Sequence, residues 1–335
     1  MKPFLIILAL SICCSGQSPW RKQTSGTDAS LRSISAISDK VAWVSGSGGT
    51  VLHTVNAGKR WRKCALPSGG ESLDFRGVHA WSKDEAVIMS SGPAENNQAK
   101  LFKTTDGCKT WHEVFSTTRK GIFFDAIVFY PGEPNRGVVL SDPVDGHFRL
   151  FESRDRGDHW AELLPKQMPR ALGGEGAFAA SNTALSLIGN SNMHDLWFGT
   201  GGGQNSRIFQ SHDGGENWTA VETPIPAGKP SAGIFSVYFF NSSEGLAVGG
   251  DYAAPNWLGI DGIKSTDSGL TWQTDYHGPY LSCTTPYSLG VQQIGPVPLE
   301  PGEPKDLNAC SSSGLVVGQH GAIYRAPGST TIQKH

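Results

Sequence analysis

Two arginines, Arg32 and Arg76, and two carboxylates, Asp125 and Glu175, stand at one equivalent place in a layout that the chain repeats. Phe235 and Leu281 take that place in two further copies. A position that only packs would be expected to repeat one residue type, and this one mixes charges with apolar groups. A guanidinium presents a planar fork that suits a carboxylate. Paired carboxylates can work as acid and base on a glycosidic bond. A second ring of loops supplies Asp142, Asp251, Tyr252 and His320. Carboxylates there can orient hydroxyls, Tyr252 can serve as a stacking platform, and His320 can donate or accept a proton. The four charged groups of the first ring could equally neutralise one another as a buried salt-bridge network, and their types alone leave both readings open.

The frame that would position them is a recurring turn. Ser211-His212-Asp213-Gly214-Gly215-Glu216-Asn217-Trp218 reads as S/T-x-D-x-G-x-x-W, and the pattern returns with Asp155 and Trp160 and with Asp267 and Trp272. Two degenerate copies precede these, one with Asn56 and Trp61, the other with Asp106, Cys108 and Trp111. The tryptophans at 61, 111, 160, 218 and 272 lie 50, 49, 58 and 54 residues apart. A period of this length marks a blade array or a solenoid. Hydroxyl and acid side chains bond nearby backbone, glycine supplies a positive φ, and the indole packs beneath the turn. The box residues are therefore expected to be structural.

Each box closes a unit of four short strands with alternating apolar residues, the pattern of a propeller blade. Innermost strands are expected to begin near Ile34, Phe75, Phe124, Gly174, Ile234 and Tyr280. The sixth unit has no box and carries a proline-rich insertion from Pro286 to Pro304. It also ends one strand short, at Ile323-Tyr324-Arg325, while Trp20-Arg21-Lys22-Gln23 is an outer strand with no blade before it. Lending that strand to the last blade removes two open sheet edges. The expectation is an all-β, six-bladed β-propeller closed by its N-terminal strand. A seventh blade would need a further unit.

Composition narrows the class. The 335 residues are 38% hydrophobic and 17% charged with a net charge of −2, so no field draws nucleic acid or an anionic membrane. Forty-two glycines and ten tryptophans suit many tight turns between short strands. The apolar run Phe4 to Leu10 behind Lys2 reads as a signal peptide over residues 1–16, too short to span a bilayer. Cys13 and Cys14 lie at the depth of a lipidation site, but the residues before them suit it poorly. A single domain over 17–329 and a tail at 330–335 follow. Cys64, Cys108, Cys283 and Cys310 remain, and pairing of sequence neighbours gives Cys64–Cys108 and Cys283–Cys310. Histidine and cysteine spacing indicates no metal, and no cofactor is expected. Asn217 and Asn241 head glycosylation sequons, and Gly199 to Gly203 reads as a flexible loop.

Five boxes at these spacings, over about residues 18–328, resemble the Asp-box (BNR) propellers. That superfamily includes sialidases, other glycoside hydrolases, sortilin-type receptors and the photosystem II assembly/stability-factor-like proteins. Leu31-Arg32-Ser33-Ile34 and Gly49-Thr50-Val51-Leu52-His53-Thr54 are most similar to the last group and its non-photosynthetic bacterial relatives. That resemblance implies an exported binding or assembly scaffold, a monomer with a protein partner or a carbohydrate or carboxylate ligand. The site would lie at the channel mouth opposite the box turns. The alternative it implies is a glycoside hydrolase of sialidase-like architecture. The Phe/Tyr-Arg-x-Pro motif of sialidases is absent, since Arg32 and Arg76 are followed by Ser33-Ile34 and Gly77-Val78.

Overall fold

The computed structural model describes residues 20–190, 193–287, 290–295 and 304–326. The expected leader, Cys13, Cys14 and the tail at 330–335 lie outside them.

All five boxes fold as one turn. The opening Ser or Thr hydroxyl accepts the N–H four residues on at 2.8–3.1 Å. It donates to the acid or amide oxygen two residues on. That oxygen accepts a second N–H, four residues further, at 2.9–3.0 Å. Bonds of this kind, from the Thr110 hydroxyl above all, hold the Asp106 carboxyl well below the usual carboxylate range. The glycine position has φ between 61° and 90° in every copy, Cys108 included. Only glycine takes that conformation freely. Trp160, Trp218 and Trp272 then donate their indole N–H back to the turn at 2.9–3.1 Å. In the degenerate copies the indoles reach elsewhere, Trp61 to Gln23 and Trp111 to the Ala65 carbonyl, both at 2.9 Å.

Six four-stranded antiparallel sheets radiate from a channel. The first comprises Leu31–Ala36, Ala42–Gly46, Thr50–Thr54 and Arg62–Lys63. The second comprises Phe75–Ala80, Ala86–Ser90, Ala99–Thr104 and His112–Thr117. Phe124–Tyr130, Glu133–Val144, His147–Ser153 and Ala161–Leu163 make the third. Leu185–Asn190, Met193–Gly199, Arg207–Ser211 and Thr219–Glu222 make the fourth. Ala232–Phe239, Gly245–Asp251, Gly259–Ser265 and Gln273–Gly278 make the fifth. The sixth has Leu307–Cys310 innermost, then Leu315–Gly318 and Ile323–Arg325, with Arg21–Gln23 outermost. Aromatic and aliphatic cores fill the wedges between sheets, as where Phe148, Phe198, Phe209 and Trp218 meet between the third and fourth.

Two innermost strands differ from the expected ones. The fourth blade starts at Leu185, not near Gly174, and the sixth at Leu307, not near Tyr280. Cys283–Tyr287 instead pairs with Gly290–Ile294 in a hairpin of its own. The Thr284 N–H bonds the Ser236 hydroxyl of the fifth blade, so the hairpin is wedged between the fifth and sixth blades. The Cys283–Cys310 disulfide, S–S 2.01 Å, fastens it to the sixth. Cys64–Cys108, S–S 2.02 Å, likewise ties the first blade to the second box turn. Both pairings are the expected ones.

Closure is direct. Arg21, Lys22 and Gln23 pair with Arg325, Tyr324 and Ile323. Gln23 then accepts from Trp61 and donates to the Ala57 carbonyl at 3.2 Å, joining the closing strand to the first box turn. Deleting residues 17–24 should lower the melting temperature by roughly 10 °C in a thermal unfolding experiment. An unchanged melting curve would mean that closure does not carry the ring.

Candidate functional site

Five of the six innermost strands share an irregularity near the start of their pairing. Register slips by one residue between Leu31 and Ser33, Phe75 and Gly77, Phe124 and Ala126, Ile234 and Ser236, and Leu307 and Ala309. The extra residues are Arg32, Arg76, Asp125, Phe235 and Asn308. A bulge re-aims the side chain it inserts, which is why these positions escape the alternation of the strand. The fourth blade supplies Thr183, because Ser186 bonds the Phe239 N–H as Ser35 bonds that of Ala80. By the same matching of Ser236–Thr284 with Ser33–Val78, the hairpin supplies Ser282 rather than Leu281.

The structure brings Arg32, Arg76, Asp125 and Asp142 together at one mouth and adds Asp74 and Tyr280. Arg76 donates to Asp74 at 2.7 Å and to the Ala179 carbonyl at 3.3 Å. Burial, and then the charge of Arg76, lowers the affinity of Arg32 for its proton. Among the described residues no carboxylate lies within salt-bridge distance of Arg32, and its Nε is buried without a partner. Asp125 is 1% exposed. Burial first, then the neighbouring Asp142, raises its carboxyl well above the usual range. Neither of its oxygens makes a hydrogen bond of normal geometry, and Asp74 Oδ1 is also unpartnered. Burial pushes Asp142 up to about 6 although it accepts the Ala177 N–H at 3.0 Å.

Of the remaining candidates, Glu175 and Asp251 are already engaged, while Tyr252 and His320 are exposed. Glu175 precedes the fourth blade and accepts from Thr200 at 2.6 Å, Leu172 N–H at 2.7 Å and both Arg207 Nε and Nη2. It is a buried ion pair, and its alignment with Arg32, Arg76 and Asp125 does not survive. Asp251 bonds Lys229 at 3.0 Å and the Ala253 N–H at 2.9 Å. Tyr252 is 54% exposed and meets the edge of Phe235, 6.0 Å between centroids. His320 sits exposed in the last blade's turn, 3.2 Å from Asp28.

Residues Gly176 to Thr183, whose first residues were expected to begin the fourth blade, form a strap across the channel below this mouth. Ala177 is held by Asp142, Phe178 stacks on Phe235 at 4.0 Å, and Ala179 accepts from Arg76. Ser181 donates to Ser282 at 2.8 Å, and Asn182 brackets Ile127 with two hydrogen bonds. Gly201 bridges both Gly176 and Gly233. A Cβ there would sit 2.4 Å from the Ala232 carbonyl, so the glycine run is a tight crossing and not the flexible loop expected. Beyond the strap a cavity of about 1180 Å³ opens on the box-turn face, lined by Ser35, Ser186, Thr284 and Ser311 among aliphatic groups. The signal for the strap was the glycines at its crossings, Gly176, Gly201 and Gly233.

No family model matches the chain, and no curated protein matches it. Among solved structures it is similar to YCF48 bound to D1 peptide, 18% identical over 96% of this chain and 98% of that one, with TM-score 0.44. It is also similar to the WD40 β-propeller domain of Doa1, 12% identical over 91% and 95%, TM-score 0.53. A protein of unknown function from Dyadobacter fermentans DSM 18053 is 12% identical over 92% and 98%, TM-score 0.53. The last two likenesses show the propeller fold alone, and the first carries no inference.

Two outcomes test these electrostatics. The folded pKa of Asp142 lies above its ordinary value of 3.8, so the native state binds the proton better than the unfolded chain. Its contribution is full below that value and is lost as pH rises through about 6. Asp142→Asn should therefore be more stable than the parent at pH 8 by about 1–3 kcal/mol, with the difference fading towards pH 4, as read by denaturant unfolding. A difference that grows on acidification would contradict this. Arg207→Ala should cost about 3–5 kcal/mol, because it strands the Glu175 carboxylate in the interior. A loss under about 1 kcal/mol would show that pair to be solvated.

Proposed function

We propose that this chain is an exported propeller scaffold that holds an anionic partner protein at the mouth opposite the box turns, with Arg32 and Arg76 as anchors. The carrying observation is the Arg32 guanidinium, which has no ionic partner among the described residues although its Nε is buried. Leaving such a donor unpaired costs about 1–3 kcal/mol, a cost that a bound carboxylate would remove. Export is supported by the two disulfides, which persist in oxidising compartments. Among the described residues no helix is long and apolar enough to cross a membrane. The resemblance to assembly-factor-like propellers points the same way. Glycoside hydrolysis has less support, because Glu175, Asp251 and Asp142 already accept internal hydrogen bonds and Asp125 is buried.

A labelled glutamate-rich peptide is the direct probe. Arg32→Ala should weaken its binding by about tenfold with little change in melting temperature, since truncating an anchoring arginine commonly costs more than about 1 kcal/mol. Strong destabilisation with unchanged binding would make the mouth a structural plug. Turnover of aryl glycosides by the parent protein would favour the enzyme.

A further inference from the structure

The loop joining the second and third strands of the fifth blade carries Tyr252, Trp257 and Leu258, which are 54%, 54% and 72% exposed. Large apolar side chains grouped on one short loop are costly to leave in water and commonly mark a contact surface. The loop is not loose. Ala254 and Trp257 donate their N–H groups to the Asp251 and Ala254 carbonyls at 3.0 and 2.9 Å, and Asp251 caps the Ala253 N–H. Lys229 holds the same carboxylate from the far side.

This ledge is continuous with the arginine mouth. Tyr280 donates its N–H to Pro255 at 3.3 Å, and its ring meets Phe235 with 4.8 Å between centroids. Phe235 in turn meets Tyr252, and the Tyr280 phenol lies close enough to feel the charge of Arg32. A path of aromatic side chains therefore leads from Arg32 through Tyr280 and Phe235 to Tyr252, on the loop that also carries Trp257.

We infer that the ledge formed by Tyr252, Trp257 and Leu258 seats the bulky apolar side chains of a protein segment whose carboxylate is held by Arg32. This rests on the reading of the mouth as an anion-binding site. Charge complementarity selects the anion. The ledge selects a polypeptide over an acidic sugar, because Leu258 has no hydrogen bond to offer a hydroxyl-rich ring. Of the nearby carboxylates, Asp251 and Asp142 are already engaged, and the unpartnered oxygens of Asp74 and Asp125 are buried. Tyr, Trp and Arg are also the side chains on which protein interfaces concentrate their binding energy.

Two labelled peptides test it, one rich in glutamate and one in which leucine and phenylalanine flank the same glutamates. The second should bind the parent protein about tenfold more tightly. Trp257→Ala combined with Leu258→Ser should abolish that gain and leave the first peptide unaffected, whereas Arg32→Ala should weaken both. Leu270→Ser, an exposed leucine on the box-turn face, is the control and should change neither. Equal affinity for the two peptides, or a gain that survives in the ledge variant, overturns the inference while leaving the arginine mouth intact. Binding of an oligogalacturonate that is tighter than either peptide and is lost in the ledge variant overturns it in favour of an acidic sugar. If neither peptide binds, the anionic-partner reading falls as well.

Discussion

A ring of sheets stands only if its last sheet finds an outer strand, and here that strand comes from the opposite end of the chain. Pairing Arg21–Gln23 with Ile323–Arg325 leaves neither end of the ring with an open edge. Gln23 extends the effect, because its amide bonds the first box turn at both Trp61 and Ala57. The degenerate first box gives up the internal bond of its indole to make that connection. The disulfide at Cys283–Cys310 works on the other side of the seam, fastening the hairpin that lies between the fifth and sixth blades.

With closure secured, the repeated turn can be purely local. Hydroxyl, acid and positive-φ residue satisfy one another within a few residues, so each blade carries its own corner independently of its neighbours. The acids of the boxes are engaged in these local bonds.

At the mouth the bulges matter more than the strands. In five of the six blades they take one residue out of the alternation, and these are the residues that differ in kind from blade to blade. The strap crosses the channel beneath them. Burial then acts on what stands there, favouring the protonated form of Asp125 and leaving the Arg32 Nε without a hydrogen-bond partner. Asp142 serves both mouth and strap through its bond to Ala177.

The sequence by itself determined what rests on short-range repetition. The box fixed the corner of five blades, Trp20 to Gln23 matched the missing strand, and the cysteines paired with their neighbours in the chain. It also placed Arg32, Arg76, Asp125 and Phe235 at one equivalent position. Tertiary structure alone decided the rest. Gly174 to Ala177 has the small and apolar pattern of a strand start, yet it enters the strap because Gly201 and Asp142, far away in sequence, bond it there. Glu175 was thereby drawn to Arg207 and away from the mouth. Tyr280 and Leu281 look like the start of a blade, but the innermost strand of the last blade is Leu307–Cys310. Periodicity reports which residues face alike along a strand. Which segment wins a place beside the channel depends on long-range hydrogen bonds that no local pattern encodes.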